Sequence, residues 1–151
     1  MRRKDREIID TEAMERILDA AAVCRLGMAD NNGPYVVPLC YAYENGSFYL
    51  HSAREGEKID ILRKNPQVCV EVDITDGPIP KENPCAWEMR YKSVICRGTA
   101  VFVEDSEEKK QALGKITRHY GAGYLTFPDE AVARVCIIRI DVDCMTGKQH
   151  G

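Results

Sequence analysis

Hydrophobic residues near the start of the chain recur at intervals of three and four positions. The residues that share this helical face are Met14, Ile17, Leu18, Ala21 and Ala22. Asp10 or Thr11 precedes them and can cap the first turn, because short polar side chains accept hydrogen bonds from unpaired helix amides. The spacing therefore predicts a first helix that starts near residue 10.

Three strand-like segments follow, and turn sequences separate them. The segments cover residues 23–29, 34–44 and 47–52. Asn31-Asn32-Gly33 lies between the first two and Asn45-Gly46 between the last two, and both are strong hairpin signals. The pattern predicts an antiparallel meander of three strands.

The middle of the chain changes from helical to alternating periodicity. A helix is predicted over residues 55–64, where Pro66 closes it, and a strand with alternating valines follows over residues 67–74. Residues 75–86 contain three prolines. Because proline cannot donate to a central ladder, we expect a long loop there.

The last third of the chain contains an extended run, a helix and a strand. The run covers residues 87–104 with a bend at Gly98, and Asp105 caps the helix that follows. A final strand is expected over residues 132–142, and residues 144–151 then form a tail.

Six or so short antiparallel strands with few helices predict a mainly β fold with flanking helices, as a six-stranded closed or nearly closed barrel. Small barrels have filled interiors, so a ligand should bind outside the barrel or between subunits. Trp87 shares one strand face with other apolar side chains, and we favour a subunit interface for it.

Composition and charge limit the partners. With 151 residues and 44% hydrophobic content, the chain suits a single domain over residues 1–151. A net charge of -3 offers no basic field for nucleic acid, and the apolar stretches are too short to span a bilayer. We therefore expect a soluble, unexported protein that binds neither nucleic acid nor membrane.

Cysteine usage indicates a reducing compartment. There are seven cysteines, an odd number, with no Cys-x-x-Cys pair, and several lie within apolar alternation. We expect reduced core thiols in the cytoplasm, with Cys40 as the exception because it borders the candidate ligand site. His51, His119 and His150 share no metal-ligand spacing, so we expect no metal site.

Residues 48–66 carry the clearest chemical signal. They run from a strand through a short polar turn into a helix, and such a turn leaves unpaired N–H groups beside a helix dipole that favours an anion. The polar side chains there are Ser52, Arg54 and Lys58. Gly56 lets the backbone approach a bound oxyanion. The pattern indicates a phosphate site, with His51 at its edge.

Several short segments occur in an order that is typical of one superfamily. They are Val37-Pro38-Leu39-Cys40-Tyr41, Phe48-Tyr49-Leu50-His51-Ser52-Ala53 with Gly56 and Lys58, Asn65-Pro66, and Tyr91-Lys92-Ser93-Val94 before Gly98. With these segments nearly the whole chain resembles the FMN-binding split barrel of the pyridoxamine 5'-phosphate oxidase superfamily, and specifically its nitroimidazole-resistance (Nim-type) branch.

The resemblance implies a homodimer with FMN in a groove between the subunits. Carried over by position, Lys58 would be the main phosphate cation and Ser52 a phosphate hydroxyl. Glu57 stands where the oxidase pattern has a second cation, and Arg54 could compensate for it. The backbone of five consecutive residues would contact the isoalloxazine ring, namely Val37, Pro38, Leu39, Cys40 and Tyr41. Ser93 occupies the position of a polar side chain that reaches the flavin.

His51 corresponds to a histidine that Nim-type proteins place near the flavin ring. Because imidazole side chains titrate near neutral pH, such a residue suits proton delivery to a reduced nitro group or carbonyl. The alternative is a histidine that only packs and forms hydrogen bonds at the strand end. Spacing does not separate the two.

The resemblance leads to an FMN-dependent oxidoreductase that reduces a small planar electrophile such as a nitroaromatic compound. One alternative is a flavin-binding protein without turnover. Another is a haem-binding or haem-degrading protein with His51 as an iron ligand. No Gly-x-Gly-x-x-Gly dinucleotide fingerprint occurs in the chain, so a nicotinamide donor would bind only transiently.

Overall fold

Strands and helices alternate along residues 3–151, the part of the chain that the computed structural model describes. The strands are β1 (Glu7–Ile8), β2 (Cys24–Asp30), β3 (Gly33–Leu39), β4 (Tyr41–Glu44), β5 (Ser47–Ser52), β6 (Gln67–Ile79), β7 (Glu88–Val103) and β8 (Cys136–His150). The helices are α1 (Thr11–Ala20), α2 (Glu57–Lys64), α3 (Ser106–His119) and α4 (Asp129–Arg134). The predicted mainly β, antiparallel fold is confirmed.

All strand pairs in the sheet are antiparallel, and the sheet curls upon itself. Its order is β3-β2-β6-β7-β8-β5-β4, with β1 paired to β8. The two end strands β3 and β4 are consecutive in the chain, and only Cys40 lies between Leu39 and Tyr41. Since three consecutive Cα atoms span at most about 7 Å, the ends of the sheet must meet at Cys40. The result is an open, or split, barrel.

Alternating residues of the strands fill the inside of this curled sheet. The buried residues that strands contribute include Leu26, Met28, Tyr41, Phe48, Leu50, Val70, Val72, Val94 and Ile138. α1 adds Met14, Ile17 and Leu18 from its apolar face, and the Asp10 side chain caps this helix by accepting from the Glu12 N–H at 3.1 Å. The predicted first helix therefore packs against the barrel interior.

The eight strands exceed the six predicted for two reasons. The segment predicted as one strand over residues 34–44 is interrupted at Cys40, where it passes from one end of the sheet to the other. The two-residue strand β1 carries no periodic signal of its own and forms only because it pairs with β8. Tertiary pairing therefore decides both differences.

The prediction of a loop over residues 75–86 is wrong for its first five residues, which continue β6 to Ile79. The ladder with β7 shifts register between Thr75 and Pro78, and Gly77 there has a positive φ of 80°. This irregularity is a β-bulge, which lets Pro78 follow the strand without donating to a regular ladder.

The final strand is also longer and later than predicted. Val132 lies in α4, and β8 starts at Cys136 and runs to His150, so residues 144–150 are a strand and not a tail. A register shift near Gly98 pairs Arg97 with Cys144 and Gly98 with Val142. The skipped residue breaks the alternation on which the sequence prediction depended.

The cysteines are all free, but they are not all in the core. Cys24 and Cys96 are buried, whereas Cys40, Cys85 and Cys144 are exposed. The prediction of core thiols is therefore wrong for Cys85 and Cys144, whereas Cys40, the predicted exception, is exposed. Within residues 3–151, no helix has the length and apolar content that crossing a bilayer requires.

Gly98→Ala should destabilise the fold. A Cβ at position 98 would lie 2.3 Å from the backbone oxygen of Asp141 on the neighbouring strand, and backbone cannot move aside cheaply. We expect a loss of about 1–3 kcal/mol of unfolding free energy, measured by urea denaturation. Gly123→Ala is the matched control, since nothing lies within 4 Å of a Cβ there. Equal stability of the two variants would contradict the close strand approach.

Candidate functional site

The N-terminus of α2 is an open cluster of backbone donors. Gly56 is the N-cap, with a φ of 119° and no side chain to cap the helix. The first hydrogen bonds to its carbonyl come from Ile59 at 2.9 Å and Asp60 at 3.1 Å. The N–H groups of Glu57 and Lys58 precede these bonds, so they are available to an anion. The helix starts two residues later than predicted from the sequence.

Lys58 is a half-buried cation without an acidic partner. Among residues 3–151, no carboxylate oxygen lies within 4.0 Å of its Nζ. Other lysines have such partners: Lys64 with Asp30, Lys81 with Glu88, Lys110 with Glu107 and Asp129, and Lys115 with Glu44. Burial lowers the pKa of Lys58, because its ammonium loses water without gaining a counter-charge.

The side chains of Glu57 and Lys58 point in different directions from α2. Neighbouring positions of a helix point about 100° apart. Glu57 is exposed, whereas Lys58 is turned toward the protein. The carboxylate that stands where the oxidase pattern has a cation is therefore directed to solvent.

Ser52 lies at the end of β5, next to the start of β8. Ser52 pairs with Cys136 on β8. Burial raises the pKa of the Cys136 thiol, while the nearby charges of Lys109, Arg63 and Lys58 act in the opposite direction. The Glu104 carboxylate acts in the same direction as burial, and these interactions place the Lys58 ammonium within Coulombic range of Cys136, the strand partner of Ser52.

Lys109 is a cation that the sequence analysis missed. Only 8% of its surface is exposed, and its Nζ donates to the Val135 carbonyl at 3.0 Å. One signal could have found it, because Lys109 occupies the same face of α3 as the buried Ala112 and Ile116. A buried lysine ammonium needs a hydrogen-bond acceptor from the protein or from a ligand. Here the acceptor is the carbonyl of Val135, the residue that ends α4.

Arg54 forms its side-chain hydrogen bond with α4. Its Nη1 donates to the Ala133 carbonyl of α4 at 3.2 Å, and the side chain is exposed. This bond ties the turn after β5 to α4. Arg54 therefore contributes to the shape of the turn, and its remaining donors face solvent.

His51 lies where the two ends of the sheet meet. It is exposed on β5, opposite Ile137 of β8. The β4–β5 ladder ends at the pair Tyr41 and Leu50, and the next register position places Cys40 beside His51. The segment predicted to follow the ring and the predicted proton donor therefore converge at Cys40.

The five residues predicted to contact the ring differ in burial and in the backbone groups that are free to bind a ligand. Val37 and Leu39 are half-buried against the core, whereas Pro38 and Cys40 are exposed. Among the described residues, 3–151, β3 is an end strand that pairs with β2 alone, so its other backbone edge is open. Tyr41 is fully buried, and its N–H already donates to the Tyr120 hydroxyl at 3.0 Å.

Ser93 lies apart from β3 on the outer sheet face. It pairs with Asp73, and Arg25 of β2 binds both Asp73 and Glu71 through its Nη1. Arg25 in turn pairs with Pro38, so three strand spacings, about 14 Å, separate Ser93 from β3. The sequence analysis missed this ion cluster of Arg25, Glu71 and Asp73. Its signal was that Glu71 and Asp73 alternate with valines on the predicted strand and so lie on its outer face.

Large apolar side chains are exposed on the outer surface. They include Val36 at 61%, Trp87 at 52%, Met89 at 45% and Ile95 at 43% exposure. Met89 and Ile95 share the β7 face with Ser93. Trp87 precedes β7, and its Nε1 donates to the Lys81 carbonyl at 3.0 Å. Each of these apolar side chains is uncovered in a single chain.

Known proteins of similar sequence and structure place the chain in a family. The family described as pyridoxamine 5'-phosphate oxidase matches residues 10–149. A candidate 5-nitroimidazole antibiotic resistance protein from Bacteroides thetaiotaomicron VPI-5482 is 41% identical, with a TM-score of 0.84 over 94% of this chain and 85% of that chain. A FAD-binding protein from Mesorhizobium loti is 27% identical, with a TM-score of 0.70 over 95% of this chain and 96% of that chain.

A shorter match concerns sequence alone. An uncharacterized protein of Rhizobium meliloti (strain 1021) is 31% identical over 65 residues, and the match covers 43% of this chain and 42% of that protein's length. The family match and the Bacteroides structure cover most of the chain. The chain therefore belongs to the pyridoxamine 5'-phosphate oxidase family, and its likeness to the Bacteroides protein supports the Nim-type branch.

Proposed function

We propose that the protein binds FMN and uses it to reduce small planar electrophiles, with nitroaromatic compounds as the substrate class. The observation that carries this proposal is Lys58, a partly buried ammonium beside the open N-terminus of α2 that has no carboxylate partner within residues 3–151. A charge in this state is costly unless an anion binds there.

The donor set at α2 fits a terminal phosphate monoester. Such a group carries close to two negative charges and accepts several hydrogen bonds. The α2 amides, the Lys58 ammonium and the Ser52 hydroxyl would supply these donors. Among the flavins, FMN ends in such a phosphate monoester, and we therefore propose FMN as the cofactor.

The open edge of β3 would orient the ring. Bound flavin would supply the electron transfer. His51, exposed beside Cys40, would deliver a proton to the oxygen of the reduced nitro group or carbonyl. The half-buried Val37 and Leu39 keep water from one side of β3.

Similarity to known proteins supports a flavin and a nitro substrate. The Bacteroides protein is a candidate 5-nitroimidazole resistance protein, and the Mesorhizobium protein binds FAD. The flavin-storage and haem alternatives are distinguished by absorbance. Flavin bands with slow reoxidation by every acceptor would indicate storage, whereas a Soret band after haem addition would indicate haem binding.

We propose a homodimer in which the exposed apolar surface is covered by a second copy. Trp87, Met89 and Ile95 form a surface of the kind that interfaces bury. We also propose a cytoplasmic location, because the seven free cysteines would stay reduced there.

Lys58→Met should weaken FMN binding by about 10- to 100-fold, since a charge-assisted contact contributes about 1.5–3 kcal/mol. The methionine keeps the packing of the lysine stem. Flavin fluorescence quenching during titration measures the affinity. Lys64→Met is the matched control, because Lys64 lies on the same helix but pairs with Asp30. If both variants bound FMN with equal affinity, the proposal that the phosphate binds at this helix would be wrong.

His51→Ala should keep FMN but slow the reduction of a nitroimidazole by about 100-fold, as expected when a proton donor is lost. The bound flavin is photoreduced anaerobically, mixed with substrate, and followed by its absorbance as it reoxidises, so the physiological electron donor is not needed. His150→Ala serves as the control histidine, because His150 binds Glu88 at 3.0 Å. Unaltered reoxidation in the His51 variant would leave this residue with a packing role.

Ile95→Glu should convert the dimer to a monomer, because a charge would enter the buried centre of the interface. Sedimentation velocity measures the mass. Ile9→Glu is the control, since Ile9 is an equally apolar residue with 86% exposure before α1. A wild-type protein that sediments as a monomer would contradict the proposed assembly.

A further inference from the structure

The C-terminus of α3 sets the position of Tyr120. Gly121 follows with a φ of 83°, and the Ala122 N–H donates to the Thr117 carbonyl at 3.0 Å. This pattern is a Schellman motif, which gives the end of a helix one defined geometry. Tyr120 is therefore held at a fixed point, and its ring is half-exposed.

The Tyr120 hydroxyl joins two segments that are distant in sequence. It accepts from the Tyr41 N–H at 3.0 Å and donates to the Ala22 carbonyl at 2.7 Å. Tyr41 is the first residue of β4, directly after Cys40. One hydroxyl therefore fastens the strand break at Cys40 to the segment after α1.

Two other side chains complete the network around the end of α1. His119 Nε2 donates to the Ala21 carbonyl at 2.8 Å, and the Tyr41 hydroxyl donates to the Leu18 carbonyl at 2.6 Å. The His119 ring lies 4.7 Å from the Tyr41 ring and 4.8 Å from the Tyr120 ring, measured between centroids. The carbonyls at the end of a helix lack partners within that helix, and these side chains supply them.

We propose that Tyr120 is a positioning residue of the flavin site, because its hydroxyl holds the break at Cys40 and thereby sets where β3 lies relative to His51. The inference rests on the proposed function. Within residues 3–151, β3 and β4 do not pair with each other, although they are the two ends of one sheet. Ladders hold Leu39 against Cys24 and Tyr41 against Leu50, but within the described chain none joins the two strands across Cys40, so the Tyr120 bond to the Tyr41 N–H adds a tether at this junction.

The hydroxyl is suited to this role at all working pH values. Burial raises the pKa of Tyr120 to about 12, so the group stays protonated. It can then accept from Tyr41 and donate to Ala22 at the same time. A phenylalanine at position 120 would keep the contact with His119 but leave the Tyr41 N–H without its partner.

Tyr120→Phe is the test, with Tyr43→Phe as the matched control. Tyr43 lies on the same strand as Tyr41, and its ring packs 5.0 Å from Phe48. We expect Tyr120→Phe to bind FMN within about threefold of wild type, since the phosphate donors are untouched. Anaerobic reoxidation of the photoreduced flavin by a nitroimidazole should slow by about 10- to 100-fold, because small displacements of reacting groups carry such penalties. The visible circular dichroism of the bound flavin should also change.

A second measurement does not depend on flavin. In flavin-free protein, the Tyr41 amide should exchange with deuterium at least about tenfold faster in Tyr120→Phe than in Tyr43→Phe, because exchange reports local opening. Reoxidation and dichroism that match wild type in Tyr120→Phe would overturn the positioning role and leave the flavin function intact. A wild-type protein that retains no flavin would overturn both.

Discussion

A one-residue link between the two end strands of the sheet shapes this protein. β3 and β4 occupy opposite ends of the strand order, yet only Cys40 separates them in the chain. The sheet must therefore curl until its ends meet, and the curl encloses the core formed by residues such as Leu26, Phe48 and Val70. Since side chains fill the interior, a ligand must use the outer surface.

The same link concentrates the candidate chemistry at one place. It leaves one backbone edge of β3 unpaired and brings Cys40 beside His51. It also leaves the start of β4 to be held by Tyr120, which comes from a helix about 80 residues further along the chain. The open edge of β3, the proposed proton donor His51 and the proposed tether Tyr120 therefore lie close to the residue at which the sheet is interrupted.

The Lys58 ammonium at the start of α2 is a charge that the fold leaves without a counter-ion within residues 3–151. Lys58 is partly buried without a counter-ion, and the depressed pKa means that its charged form weakens the free protein at neutral pH. In the proposed complex a bound phosphate would give the ammonium a partner and offset this cost. Local costs of this kind are expected at functional sites, where binding compensates them. Glu57 faces solvent, so it neither neutralises Lys58 nor repels an anion bound there.

The sequence by itself determined the features that depend on near neighbours. Turn residues such as Asn45-Gly46, the Asp10 cap and the helix ended by Pro66 lie where local rules place them. The mainly antiparallel fold follows from these elements, and the cluster of Ser52 and Lys58 follows from the strand and helix that join there.

Only the tertiary structure decided the features that depend on distant partners. The extension of β6 past Gly77 and of β8 to His150 needs bulges that break alternation. The burial of Lys109 and the Tyr120 bond to Tyr41 require α3 to pack on the sheet. The physical reason is that periodicity reports which face is buried, whereas register and long-range hydrogen bonds arise only when the sheet curls.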